Sequence, residues 1–136
     1  MAMSDDTRCA AAETDDRFPS GPWTGYYHQW GTQARQRLGL NFSNGAISGV
    51  GRDPGGDFSI RGVYDTQTGK VSLVKVYDAH RVEYDGLADG DGIGGGWTIR
   101  YPFSVTDRGQ FRIWPDEAAL SEHERLKAEE PEPAGC

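Results

Sequence analysis

Long apolar runs are missing from this 136-residue chain. No stretch of about 18 consecutive apolar residues occurs, so no membrane-spanning helix is expected. The N-terminus carries no apolar segment of the kind that marks a secretory signal. Cysteine is nearly absent. Cys9 and Cys136 are the two, both in polar terminal stretches where the geometry of a disulfide is hard to hold. They read as free thiols in a reducing compartment, which makes the cytoplasm the expected location. Basic charge is in deficit: the net charge is −7. That argues against general nucleic-acid binding, which depends on Lys and Arg neutralising phosphates.

The signatures of chemistry are also missing. His28, His80 and His123 include no pair at i, i+2 or i, i+4, and the cysteines are remote, so no metal site is expected. There is no G-x-S-x-G, Ser59 and Ser72 sit in plain strand positions, and no two carboxylates stand out as an acid–base pair. Neither catalysis nor a cofactor is expected.

What is present is glycine and aromatic side chains. Nineteen Gly follow no collagen-like period, and four Trp, six Tyr and five Phe can fill a small core, because each buries roughly 150–250 Å². From Trp23 onward, short alternating runs are separated by Gly, Asn and Asp, which is a strand-and-turn pattern. The runs are 23–30, 35–42, 46–51, 58–64, 70–77, 81–86, 96–103 and 110–114. Leu38, Leu40 and Phe42 share one face, as do Phe58, Ile60 and Tyr64, and Val82 and Tyr84. Asn44-Gly45 is a strong hairpin signal, and 52–57 and 65–69 read as loops. The expected fold is all-β: an eight-stranded antiparallel up-and-down barrel over 21–115, closed so that no sticky edge remains. Residues 1–20 read as a disordered acidic tail. Residues 116–136 read as an acidic tail with a short helix, starting near Ser121.

The run "DGDGIGGGWTIR" contains G-x-G-x-x-G at Gly90, Gly92 and Gly95. A dinucleotide loop must open a helix whose N-terminus meets the pyrophosphate. Here "WTIRYPF" follows, which is a strand, and Asp85, Asp89 and Asp91 would repel phosphate. The run reads as a glycine-rich hairpin. Asp89-x-Asp91 imitates the opening of a calcium loop, but the later ligands are not at the required spacing.

Gly21-Pro22-Trp23 resembles the G-x-W that opens the first strand of the calycins, the barrel group of lipocalins, fatty-acid-binding proteins and avidins. The runs "GDFSIRGVYD", "GKVSLVKVYDAHRVEYDG" and "GIGGGWTI" also resemble a family of small β domains of unassigned function. The resemblance covers roughly Gly21 to Trp114. It implies a barrel whose cavity holds a small molecule, without identifying which.

In "KVSLVKVYD", Lys75 shares parity with Val71, Leu73 and Tyr77, while Ser72, Val74, Val76 and Asp78 form the other set. If the first set faces inward, a Lys enters the barrel and must pair or lose its proton. Such a Lys could hold an anionic ligand, with Tyr27 and Gln29 beside it and Tyr84 and Trp97 as walls. Two alternatives stay open. Lys75 faces solvent if Val74 and Val76 point in, or a Tyr or Glu83 satisfies it structurally. The leading expectation is non-catalytic binding of a small, partly apolar and anionic molecule by Tyr27, Gln29, Lys75, Tyr77, Tyr84 and Trp97. The alternative is a protein-interaction or homodimer module with a side-chain-filled barrel, presenting Trp30 and Tyr26 outward.

Overall fold

The alternating runs become strands because each places one set of apolar side chains on a shared face every second residue. The computed structural model describes residues 13–101 and 104–119. Eight strands follow in chain order: β1 (Gly21–Gln29), β2 (Thr32–Ser43), β3 (Ala46–Asp53), β4 (Gly56–Tyr64), β5 (Lys70–Val76), β6 (Arg81–Asp89), β7 (Gly92–Tyr101) and β8 (Ser104–Pro115). Each pairs antiparallel with the next, and β1 also pairs with β8, from Trp23 opposite Pro115 to Tyr27 opposite Phe111. The sheet is a closed up-and-down barrel, as the sequence pattern predicts.

The inward face carries the expected residues. Leu38, Leu40 and Phe42 on β2, Phe58, Ile60 and Tyr64 on β4, Val71 and Leu73 on β5, and Val82 and Tyr84 on β6 are all buried in one core with Trp23, Trp97, Phe111 and Ile113.

The strands run further than the sequence pattern suggests. The span 52–57 is a tight turn at Pro54-Gly55, because β3 continues to Asp53 and β4 starts at Gly56. β7 begins at Gly92, and its glycines lie inside the strand. A side chain at Gly95 would meet the Asp85 carbonyl oxygen at 2.1 Å, so only glycine allows these strands to approach so closely. Trp30 is a turn residue rather than the last residue of β1.

The two ends of the barrel differ. The chain turns inward earlier than the tail composition suggests, since residues 13–20 pack against one end. Phe18 is 0% exposed, with its ring 4.6 Å from Tyr64 and 5.5 Å from Phe42. The Trp23 indole donates to the Pro19 carbonyl at 2.8 Å, and Arg17 donates to the Thr66 carbonyl at 2.7 Å. This end is plugged. After β8 a helical turn begins at Glu117, capped by the Asp116 carboxylate, which accepts from the Ala119 amide at 3.1 Å. The Ser121 start signal, Cys9, Cys136 and His123 lie outside the described residues. Among the described residues no helix is long and apolar enough to cross a membrane.

Candidate functional site

Lys75 faces inward. It sits on β5 in phase with Val71 and Leu73 and is 1% exposed. Three groups accept its three protons: Asp53 Oδ2 at 2.8 Å, Gln36 Oε1 at 3.0 Å and the Tyr84 hydroxyl oxygen at 3.1 Å. Four rings surround the ammonium, with Phe58 nearest at 4.3 Å to its centroid and Tyr84, Tyr27 and Tyr77 between 4.9 and 5.6 Å. Such contacts are favourable when the cation is desolvated. Burial still pulls the Lys75 pKa down to about 8, even though the Asp53 carboxylate pushes the other way.

The cluster extends beyond Lys75. The Tyr77 hydroxyl donates to Asp53 Oδ2. Asp53 Oδ1 accepts from the Gly55 amide at 2.7 Å, which ties the carboxylate to the β3–β4 turn. The Gln36 amide donates to the Tyr26 carbonyl at 3.2 Å. Burial raises the pKa of Tyr77, with help from its bond to Asp53, and burial likewise raises those of Tyr84 and Tyr27. Among the described residues no buried side-chain nitrogen or oxygen lacks a partner.

Lys75 is therefore not an unpaired charge awaiting an anion. Its counter-ion is Asp53, with both side chains essentially out of water, so the pair is close to neutral as a unit. Neither Asp53 nor Gln36 was among the residues singled out from sequence, and the partner is Asp53 rather than Glu83. Both missed residues carried a signal. Gln36 shares parity with Leu38 and Leu40, and Asp53 shares parity with Ile47 once β3 is allowed to reach the turn.

Above this cluster the barrel is open. A cavity of about 430 Å³ lies at the end opposite Phe18, within the usual range for small-molecule sites. All six residues singled out from sequence line it: Tyr27, Gln29, Lys75, Tyr77, Tyr84 and Trp97. Trp30, His80, Val82, Ile99 and Asp107 join them. The walls are mostly aromatic. Tyr27 meets Trp97 edge-on at 6.2 Å, and His80 stacks on Tyr77 at 4.4 Å with the rings 7° apart. The Trp97 indole is fixed by donating to the His28 carbonyl at 3.1 Å. At the mouth, Gln29 donates to Asp107 Oδ2 at 3.0 Å.

The glycine motif contributes no site. Gly90 lies in the β6–β7 turn, with Gly92 and Gly95 in β7, away from the cavity, and Asp89 is paired with Arg112 at 3.1 Å. Among the described residues no group of three or more His, Cys, Asp or Glu side chains gathers as a metal ion would require. No protein-family model, curated protein or solved structure matches this chain.

Proposed function

We propose that this protein is a non-catalytic carrier or sensor that holds a small, partly apolar molecule in the open end of its barrel. The observation that carries this reading is the asymmetry of the barrel interior. Phe18 plugs one end, while the other keeps about 430 Å³ of aromatic-lined space above a fixed polar floor. A barrel of eight strands can be filled entirely by its own side chains, so retained space at one end favours a ligand over a solid interaction module. The floor supports binding rather than turnover, because every proton of Lys75 is already committed to a protein acceptor.

The calycin-like assignment belongs to the same proposal. Gly21-Pro22-Trp23 opens β1, and Trp23 is buried at the plugged end beside Phe42. So does the cytoplasmic location, supported by the two cysteines read as free thiols and by the lack of a long apolar run.

The expectation of an anionic ligand rested on a Lys without a counter-ion. With Asp53 in place it loses that basis, and the occupant is a small, partly apolar molecule. The outward aromatics also bear on the choice. Tyr26 packs against Trp114 at 5.9 Å and His28 at 5.1 Å, while Trp30 belongs to the cavity rim.

Native mass spectrometry of the full chain, purified gently from the cells that express it, tests the reading. A retained mass of a few hundred daltons or less supports it. A bare monomer whose spectrum is unchanged after exposure to cell extract counts against it. A stable dimer without added small mass favours the interaction module.

A further inference from the structure

The charge of the cavity is set by a residue outside the buried cluster. Lys75 and Asp53 neutralise each other at the floor. Asp107 remains at the mouth, partly buried, with Gln29 as the only side chain that donates to it among the described residues. Among those residues no ion pair to Asp107 is found, so the open end presents a carboxylate framed by aromatic rings. That combination recognises a cation, because the rings offer their negative faces and the carboxylate a charge-assisted hydrogen bond.

Trp30 supplies an independent observation. It has φ +51° and is 84% exposed. A bulky L-residue is strained there and gains no packing in return. The molecule contains its own comparison. Asn44-Gly45 makes the same kind of two-residue turn, with φ +50° and +81°, against +51° and +74° at Trp30-Gly31. Asn is the residue that such a turn favours. Folding therefore gives no reason for a Trp at position 30, whereas its place on the cavity rim does.

Resting on the carrier reading, we propose that the cavity mouth is a binding site for a small aromatic or alkyl amine in its ammonium form. The cation sits against Asp107, with Tyr27, Trp97 and Trp30 enclosing it. Gln29 is a positioning residue that fixes the carboxylate.

The test is an NMR titration of the full chain with three probes of matched shape: benzylammonium, benzyl alcohol and benzoate. Benzylammonium is expected to bind tightest, by roughly tenfold or more over the alcohol, and Asp107→Asn is expected to erase that preference. Trp30→Asn is expected to weaken benzylammonium several-fold while raising the melting temperature, a split that a purely structural Trp would not produce. Binding of the alcohol or benzoate without an ammonium preference overturns the proposal and leaves the carrier reading standing. Binding of none of the three at millimolar concentration also overturns it. Combined with an empty native mass spectrum, that result removes the carrier reading as well.

Discussion

Removing Lys75 and removing Asp53 are expected to be harmful separately and to compensate together. Lys75→Met would strand the Asp53 carboxylate with only the Tyr77 hydroxyl and the Gly55 amide, and breaking a buried pair this way costs roughly 3–5 kcal/mol. Asp53→Asn would leave the ammonium facing a neutral amide, at a similar loss. The double variant leaves no stranded charge and should lose clearly less than the sum, as read from urea unfolding midpoints. Strict additivity would mean the two are not coupled. The same pair predicts a pH profile. Below about pH 8 Lys75 is charged in both the folded and unfolded chain, and its burial cost is borne in full. From there towards its unfolded value of 10.5 the unfolded chain binds more protons, so stability rises with pH. Above about 10 the trend turns, because Tyr77 and Tyr84 hold their protons in the fold and release them when unfolded. Thermal melts across pH 7–10 should climb for the wild type and stay flat in this respect for the double variant. Parity grouped Lys75 with Val71 and Leu73 but left open which face of β5 turns inward, because Val74 and Val76 make the other face apolar as well. The partner of Lys75 was hidden because Asp53 stands next to Pro54-Gly55, where acidic residues usually mark solvated turns.

Strands and turns differ in how openly their sequence declares them. Asn44-Gly45 names its own turn, and β2 declares its inner face through Leu38, Leu40 and Phe42. The segment before β1 gives no such sign. Phe18 is one aromatic in a polar, acidic stretch with no period to follow, and its burial depends on Phe42 and Tyr64, residues from two other strands. Local polar contacts hold the approach. Arg17 bonds both Asp15 oxygens, at 3.0 and 2.7 Å, which holds the Asp15 carboxyl down at about 2. The Tyr64 hydroxyl donates to Glu13. If this segment is an integral plug, Phe18→Ala should cost roughly 3–5 kcal/mol, as for other fully buried Phe side chains. A loss under about 1 kcal/mol would mean that the segment merely rests on the barrel and that the plugged end does not depend on it.

For the whole molecule, local connections explain why the fold was legible. Among the described residues, seven of the eight strand pairings join consecutive strands, and the β1–β8 seam is the one that pairs strands far apart in sequence. Patterning and turns therefore specify nearly everything, and closure follows from the cost of exposed edges. The cavity is of another kind. Its size is the difference between a ring of strands and the summed volume of the side chains pointing inward, which no single run of sequence contains. The same glycine-and-aromatic composition could have filled both ends. Val82 tests which end is full. It lies on β6 beside Lys75 on β5 and Ile99 on β7, and lines the cavity. In a packed core, enlarging it to Phe would force neighbours off their rotamers and cost about 1–3 kcal/mol. In open space the added ring enters the cavity and buries apolar surface at roughly 25 cal/mol per Å². Val82→Phe is therefore expected to leave the unfolding free energy unchanged or raise it, and to displace whatever small mass the wild type retains. A clear destabilisation would mean that the space is already taken by the protein itself, and the interaction module would become the better account of this barrel.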